Sequence, residues 1–547
     1  MGQALLVRPA ILLCTLNAKY IHASLGLRYL LANMGELRTQ TALCEYTIAR
    51  RPADLAAELL ALLGPAEVGR VQVIGFGVYI WNVRQTCALL RLLKAARPTL
   101  KLVLGGPEVS HEHDQQAIVA LADHVITGWG DVSFPKLCRA LLHGPVPLMK
   151  VIAGEQPPLD EIALPYAEYS DADLAHRVLY VEASRGCPFK CEFCLSALDK
   201  TAWAFALEPF LAQLDRLYQR GARRFKFVDR TFNLKAEASA RILQFFLDRL
   251  PAAPTAQDLF VHFELIPDQL PDRLKALIAQ FPPGVLQFEI GIQSFNPEVQ
   301  QRISRRQDHA KTLANLGWLV THSQAHLHTD LIFGLPGETL ASFAQGFDTL
   351  YALRPNEIQL GLLKRLRGTP IARHTEAWGM VYDAEPPYAV QQTSVLSRDE
   401  VQRFVRLARY WDLVANSGRF SRTLALLLQG TSPFAAFLAW SDWLWQRSGQ
   451  TSGLSPEALV DHLFDYLTES GQGTEAASAG RLAPEALQVT VLAALLADYL
   501  GSGARARPRR LQAMLPAQGP PAARSGAGLV PRQQQHALGA NPPMIRP

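Results

Sequence analysis

The sequence predicts an α/β chain: two parallel-sheet units in succession, a helical segment behind them, and a disordered tail. Three observations carry this prediction. Short apolar runs alternate with helix-periodic stretches twice along the chain, the pattern becomes almost wholly helical near residue 384, and Pro, Gly, Ala and Gln dominate from Gly501 onward. The division that follows is 1–150, a linker over 151–175, then 176–383, 384–500 and the tail 501–547. A chain of 547 residues has room for about three domains of ordinary size.

An apolar content of 49% against 19% charged residues describes a well-cored protein. No run approaches the roughly 18 to 20 apolar residues of a membrane span, so no membrane partner is expected. The early apolar run 11–16 is short, follows Arg8-Pro9, and reads as a first strand instead of a secretory signal. A cytoplasmic location with reduced cysteines follows. The tail holds seven arginines and no lysine, aspartate or glutamate, so of the net charge of +5 the rest of the chain carries −2. A body so near neutrality has no field for gathering nucleic acid, and no nucleic-acid partner is expected.

In the first unit the strands are read at 10–16, 41–46, 71–78, 101–104 and 124–127, with helices at 21–34, 53–63 and 83–96. This is the alternation of a doubly wound, Rossmann-like sheet, whose ligands bind beyond the carboxyl ends of the strands. Three loops lie there: Asn17-Ala18-Lys19-Tyr20-Ile21-His22, Gly105-Gly106-Pro107-Glu108 and Gly128-Trp129-Gly130-Asp131. Glycines in such loops let the backbone approach a ligand closely. Cys14 and Cys44 fall in strands and Cys87 in a helix, where buried core thiols are expected. The proline-bearing stretch 152–172 reads as a connector crossing the surface.

The densest signal is Cys187-Pro188-Phe189-Lys190-Cys191-Glu192-Phe193-Cys194. Three thiolates at gaps of three and two residues can wrap one face of a small cluster, and Gly186 and Pro188 make a turn there. Four irons held by three cysteines leave one iron open to a reacting ligand. A structural zinc site would need a fourth ligand, and the next His or Cys is His262. Strands at 178–183, 224–228, 259–265, 286–292, 326–332 and 357–363 alternate with helices at 208–220, 236–250, 272–280, 297–303, 309–322 and 340–352. Six such units suit a partial (β/α)6, TIM-like barrel with its chemistry at the carboxyl ends of the strands.

The cysteine spacing, the aromatic Phe193 and the preceding strand together resemble the signature of the radical S-adenosylmethionine (SAM) enzymes. The resemblance implies a 4Fe-4S cluster on Cys187, Cys191 and Cys194, SAM at the open iron, and an external one-electron reductant of flavodoxin or ferredoxin type. Asp229, in Phe227-Val228-Asp229-Arg230, stands where many members have Gly-Gly-Glu and is expected to accept from the methionine ammonium while Arg230 balances its charge. Glu264 and Glu289 are carboxylates flanked by apolar residues, which need partners when buried. They are candidates for SAM contact or for pairing with Arg230 or Lys226, and Gln293 is expected on the substrate side. The run Asp330-Leu331-Ile332-Phe333-Gly334-Leu335-Pro336-Gly337-Glu338 resembles the family's adenine motif, which implicates Ile332, Gly334 and Leu335. Lys364, Arg365 and Arg367 are read as meeting either the substrate or cobalamin amides.

Placed before that motif, the first unit resembles the cobalamin-binding domain of one branch of the family. It implicates Asn17, Lys19, Tyr20, Gly105, Gly106, Gly128 and Asp131 in cofactor binding. The branch's Asp-x-His-x-x-Gly motif is absent, with Tyr20 where Asp would stand, so His22 is not expected to ligate cobalt. Residues 384–500 resemble a helical extension that covers the barrel mouth. The resemblance thus implies a cobalamin-binding radical SAM enzyme that methylates, or otherwise modifies through a radical, an unactivated carbon of a small molecule. Two other readings are a methylthiotransferase acting on RNA or protein, with a second cluster on Cys14, Cys44 and Cys87, and a non-catalytic zinc scaffold.

Overall fold

The structure, a computed structural model, describes residues 8–199, 201–250, 259–430, 432–469, 484–502 and 507–515. Its first unit is a parallel sheet of β1 (Ile11–Asn17), β2 (Thr41–Thr47), β3 (Val73–Gly77), β4 (Lys101–Gly105), β5 (His124–Thr127) and β6 (Val151–Ala153). Their spatial order is β2-β1-β3-β4-β5-β6. Every residue of β1 is buried, as an inner parallel strand covered on both faces requires. Helices α1 (Leu25–Ala32), α2 (Pro52–Leu63), α3 (Val83–Ala96), α4 (Ala117–Leu121) and α5 (Ser133–His143) supply that cover. Alternate β1 residues serve two cores: Leu12, Cys14 and Leu16 face one, Ile11 and Leu13 the other. The order reverses between β1 and β3, the switch point at which such sheets bind ligands.

Two features depart from the sequence reading. Helix α1 starts at Leu25 because Ser24 caps it, its Oγ accepting from the Leu27 amide at 3.3 Å. The residues before it form a loop whose Ile21 carbonyl accepts from Val178 of the second unit. The stretch expected to cross the surface is instead anchored. Val151–Ala153 adds the sixth strand, and the buried Tyr166 and Tyr169 hydroxyls donate to the Glu182 and Tyr180 carbonyls. Two rings that bury large apolar area hold this segment in place. Helix α6 (Asp171–His176) then begins at a capping box of Ser170 and Asp173.

The second unit runs through β7 (Leu179–Val181), a short antiparallel pair β8 (Ser184–Arg185) and β9 (Trp203–Ala204), then β10 (Arg224–Phe227), β11 (Phe260–Leu265), β12 (Leu286–Gln293), β13 (His326–Phe333) and β14 (Glu357–Leu362). Apart from β8 and β9 these form one open parallel sheet in the order β7-β10-β11-β12-β13-β14. Helices α7 (Leu207–Gln219), α8 (Ala236–Leu247), α9 (Asp272–Ile278), α10 (Pro297–Arg302), α11 (His309–His322) and α12 (Leu340–Ala352) intervene. Phe225, Phe227, Phe263, Phe288 and Phe333 point to the helices and are fully buried. The other face carries Lys226, His262, Glu264, Glu289, His328 and Asp330, so the barrel interior is polar where most are filled with branched apolar residues.

A hairpin of β15 (Val381–Tyr382) and β16 (Val390–Gln392) leads to α13 (Arg398–Val414), α14 (Ser421–Leu427), α15 (Pro433–Ser448), α16 (Pro456–Glu469) and α17 (Pro484–Gly501). These helices pack against the back of the barrel, and among the described residues none of theirs lines its cavities. Phe404 stacks on Phe333 at 4.0 Å between centroids, and Trp411 Nε1 donates to the Ile358 carbonyl at 3.0 Å. The outward apolar face of β13 and α12 needs this cover. The expected disordered tail is ordered in part, because Leu511 is buried and Arg510 pairs with Asp465; residues 503–506 and 516–547 lie outside the described residues. Among the described residues no helix is long and apolar enough to cross a membrane.

Candidate functional site

The cysteine loop leaves the carboxyl end of β7. Gly186 at its start has φ +82, and a Cβ there would stand 2.1 Å from the Thr201 carbonyl, so only glycine fits. Cys187, Cys191 and Cys194 line one cavity of about 230 Å³, together with Phe189, Phe193, Arg230, Glu264, Glu289, Gln293, Arg305 and Asp330. Burial pushes the Cys187 thiol up to about 11, and the two neighbouring cysteines add to the rise. Burial likewise raises Cys191, against the pull of the Arg305 guanidinium, whose Nη1 donates to Sγ at 3.5 Å. Among the described residues no three Cys, His, Asp or Glu side chains converge closely enough for a single metal ion. Three thiols spread around one cavity suit a cluster, whose own irons and sulfides occupy the space between ligands.

Glu192 anchors the loop from inside the motif. Its carboxylate is buried and accepts from Ser304 Oγ at 2.6 Å, His374 Nε2 at 2.8 Å and Arg373, while its backbone bonds Ile303 and Ile371. A charged residue between two cysteines was the available signal for it. Arg305 carried no signal, because its approach to Cys191 spans 114 residues of sequence.

The acidic candidates divide. Glu264 lines the cavity and accepts from Arg230 at 2.7 Å; burial raises its pKa against that pairing. Glu289 also lines it, and although burial works the other way, His262 at 3.1 Å and Lys226 at 3.5 Å hold its carboxyl well below the usual range. Asp229 does not reach the cavity. It is buried, accepts from the Ala183 amide at 3.0 Å and Ser184 Oγ at 2.6 Å, and burial pushes it up to about 7. Its place is under the strand that feeds the cysteine loop, and its neighbour Arg230 takes the cavity wall.

Of the adenine-motif residues, Ile332 lines an adjoining cavity of about 300 Å³ at the barrel mouth, with Phe193, Gln293, Asp330, Gln359 and Lys364. Gly334 and Leu335 are turned to the hairpin instead. At φ +86 a Cβ on Gly334 would meet Val390 Cγ1 at 2.5 Å, and Leu335 is buried in a small cluster with Val299, Ile303 and Val390.

A separate cavity of about 320 Å³ lies at the carboxyl ends of β3, β4 and β5. Gly105, Gly106, Gly128 and Asp131 line it as expected, joined by Gly26, Gly77 and Gly130. Asn17, Lys19 and Tyr20 do not. Asn17 is held by the His22 carbonyl and Glu45, Tyr20 lies exposed under Arg177, and α1 contributes Gly26 and Tyr29 in their stead. His22 is bonded to Tyr180 Oη at 2.8 Å and is absent from the lining. The buried Tyr29 hydroxyl makes no hydrogen bond of good geometry, and burial, with Tyr166 and Glu182 beside it, pushes its pKa up. A wall of backbone and apolar side chains with one underused hydroxyl fits a large ring carrying amide side chains, as a corrinoid does.

Arg185 stands two residues before the first motif cysteine. Its guanidinium lines the glycine-walled cavity and bonds Asp131 at 2.9 and 3.2 Å and Glu182 at 2.7 Å. It also lies over the rings of Tyr29 and Trp129 at 4.3 and 4.9 Å. Burial opposes its charge, but the two carboxylates hold it charged. Arg365 and Arg367 face neither substrate nor cofactor space: they pair with Glu112 and Glu108 of the first unit at 3.0–3.2 Å. Cys14 and Cys44 sit side by side on β1 and β2, buried among aliphatic residues, and Cys87 packs against the same core.

Residues 11–138 match the B12 binding domain, residues 181–350 the radical SAM superfamily, and residues 376–514 a family of unknown function, DUF4080. The chain is 23% identical to the 2-(S-pantetheinyl)-carbapenam-3-carboxylate methyltransferase of Streptantibioticus cattleyicolor, over 72% of its own length and 63% of that protein. It is 23% identical to the cobalamin-dependent radical SAM methyltransferase TokK of Streptomyces tokunonensis, over 65% and 58%. It thus spans less than two thirds of the length of these relatives. Its fold is like that of the cobalamin-dependent SAM radical enzyme OxsB, solved with aqua-cobalamin and SAM, at a TM-score of 0.57 and 13% identity over 90% of this chain and 79% of that one. The radical SAM methyltransferase TsrM of Kitasatospora setae, solved with cobalamin and a [4Fe-4S] cluster, gives 0.54 at 15% identity over 72% and 85%. The cysteine loop and most of the barrel sheet thus lie in a stretch that matches the radical SAM superfamily, behind a parallel sheet that matches the B12 binding domain.

Proposed function

We propose that this chain is a cobalamin-dependent radical SAM enzyme that methylates, or otherwise modifies through a radical, an unactivated carbon of a small molecule. One observation carries the reading. Arg185 lines the glycine-walled cavity and Cys187, two residues on, lines the cysteine-walled one, so one short stretch of chain leads from the site for a corrinoid to the site for a cluster. Methylation leads because both curated relatives are named as methyltransferases.

A 4Fe-4S cluster on Cys187, Cys191 and Cys194 would supply one-electron cleavage of SAM to methionine and a 5'-deoxyadenosyl radical, and a corrinoid would supply a transferable methyl group. This chain's residues bind, orient and exclude water. Phe193 walls both the cysteine cavity and the mouth cavity. Glu264 and Glu289 set acidic groups where the ammonium or ribose hydroxyls of SAM need acceptors, and Arg230, Lys226 and His262 keep them from standing as uncompensated charges. Arg305 is placed for the SAM carboxylate beside Cys191. Ile332 and Gln293 face the barrel mouth, where a small substrate enters. Gly105, Gly106 and Gly128 let the backbone come close to the corrinoid, and Asp131 fixes Arg185 at its edge.

The labour divides along the chain: 1–150 for the corrinoid, 176–383 for SAM cleavage, and 384–500 as a buttress behind the barrel. An external one-electron reductant and a cytoplasmic, reducing compartment complete the proposal. Anaerobic reconstitution with iron, sulfide and hydroxocobalamin tests it. We expect about four irons and one corrinoid per chain, deoxyadenosine from SAM, and a methylated or rearranged small molecule. About eight irons would point to a methylthiotransferase, and one tightly held zinc without deoxyadenosine to a scaffold.

A further inference from the structure

The two units are clasped together where the turn after β4, residues 105–112, meets the segment 364–368 after β14. Side chains of that segment alternate in duty. Lys364 and Leu366 line the mouth cavity, whereas Arg365 and Arg367 reach across to the first unit. Glu112 accepts from Arg365 at 3.2 Å, from Arg367 Nη1 at 3.1 Å and from the Gly368 amide at 3.2 Å. Glu108 is buried and accepts from Arg367 Nε at 3.0 Å and from the Tyr388 hydroxyl. A Cβ on Gly368, at φ +78, would stand 2.3 Å from the His111 ring, so the contact has no room for a side chain. Glu112 and Tyr388 hold left-handed backbone, φ +54 and +56, although neither is glycine. Strain of that kind survives only where the surroundings over-determine it, and it gathers at ligand clamps and switch regions.

The same turn reaches the glycine-walled cavity at its other end. Gly105 and Gly106 line that cavity, and Ser110 Oγ ties the Gly106 carbonyl, at 2.9 Å, to the amide of Gly128 in the same wall, at 3.2 Å. We propose that Glu108, Glu112, Arg365 and Arg367 are positioning residues that couple the glycine-walled cavity to the barrel mouth. A corrinoid filling the first cavity restrains the turn 105–112. The four charges pass that restraint to 364–368, and Lys364 and Leu366 are thereby set in the mouth wall. The inference rests on the reading of the first cavity as a corrinoid site. Coupling is reciprocal, so whatever factor a corrinoid adds to the affinity of a barrel ligand, that ligand returns to the corrinoid. SAM serves as the reporting ligand, because Glu289, Gln293 and Asp330 wall both the cysteine cavity and the mouth. Four charges that only stapled the units together would alter each affinity by itself and leave the factor between them unchanged.

The test uses the full chain, reconstituted anaerobically with iron and sulfide and left unreduced, so that SAM binds without being consumed. SAM affinity is measured by equilibrium dialysis with and without saturating hydroxocobalamin. Hydroxocobalamin affinity is measured by visible absorbance with and without saturating SAM. In wild type each ligand should tighten the other by the same factor, about fivefold or more. The double variant Glu108→Gln, Arg367→Met removes both members of the buried pair, so no charge is stranded there, and the factor should fall to about one. Glu112→Gln with Arg365→Gln removes the more exposed pair and should lower the factor in part; this variant decides the matter should the first fail to fold. A wild-type factor of about one, or an undiminished factor in either folded variant, would overturn the proposal. Wild-type protein that binds SAM but no hydroxocobalamin would instead remove the corrinoid reading itself, a failure distinct from loss of coupling.

Discussion

The two cavities differ in how their walls are charged. The amino-terminal one is walled mostly by glycine backbone and apolar side chains such as Leu30, Leu104 and Ile126, with its charges, Arg185, Asp131 and Glu182, paired to one another, whereas the barrel cavity is walled by Arg230, Glu264, Glu289, Arg305 and Asp330 around three thiols. The first selects by shape and close backbone approach; the second selects by charge and by soft ligands. Added volume should therefore disable the first and spare the second, and a lost charge or thiol should do the reverse.

The sharpest break comes from Cys191→Ala. One thiol is removed from a three-ligand set, so iron content should drop to background and deoxyadenosine formation should vanish. Hydroxocobalamin binding, followed by its visible absorbance, should persist at wild-type stoichiometry. Loss of corrinoid and iron together would mean that the cavities fold as one unit and that the contrast is false.

The reciprocal break is Gly128→Leu. Gly128 has φ +69, and a Cβ there meets no atom within 4 Å, so a side chain grows into open space at the cavity wall. A left-handed backbone costs a non-glycine residue about 1–2 kcal/mol, a lowered but surviving unfolding midpoint. Corrinoid affinity should fall by at least about tenfold, roughly 1.4 kcal/mol, while iron content stays unchanged. An equal loss of iron would show that the substitution acts on folding and not on the wall.

How far the sequence reveals this contrast depends on range. The strands of both sheets are legible because each obeys a local rule: β1 is an apolar run interrupted only by Thr15 before its terminal Asn17, and β12 alternates buried Phe288, Ile290 and Ile292 with half-buried Glu289, Gly291 and Gln293. The thiols and glycines are legible because they stand at short, fixed spacing in the sequence. Strand β6 escapes notice because three half-exposed edge residues carry no pattern. Arg365 and Arg367 are misread as ligand contacts because their partners, Glu112 and Glu108, lie 253 and 259 residues away, and nothing in a sequence pairs such charges. The loop after β1 is misplaced for a similar reason. Its Ile21 carbonyl is claimed by Val178 at the edge of the second sheet, which draws Asn17, Lys19 and Tyr20 off the cavity and leaves its wall to α1.

A smaller effect sharpens the charge side of the comparison. Glu264→Gln keeps the shape of the wall and removes one negative charge opposite Arg230. The KM for SAM should rise about tenfold, the 1.4 kcal/mol equivalent of one charge-assisted hydrogen bond. Iron content and corrinoid affinity should not move. A fall in kcat at constant KM would assign Glu264 to the transition state instead of to binding.

The last prediction lies beneath the barrel cavity and is one of stability and its pH dependence, not of ligand binding. His328 is wedged between Asp330, 3.3 Å from Nε2, and Glu357, 3.4 Å from Nδ1. Burial alone would lower its pKa, but the two carboxylates outweigh it and raise the imidazole to about 10. An unfolded histidine titrates near about 6.5. A folded-state pKa above the unfolded one stabilises fully below pH ~6.5, and that stabilisation drains away as pH climbs through about 10. The unfolding midpoint of wild type should therefore exceed that of His328→Gln most clearly near pH 6, and the gap should close toward pH 10. Parallel curves would mean that His328 is held neutral. The polar floor of the barrel would then be a hydrogen-bonded lining and not a set of fixed charges, which removes the electrostatic half of the contrast between the cavities.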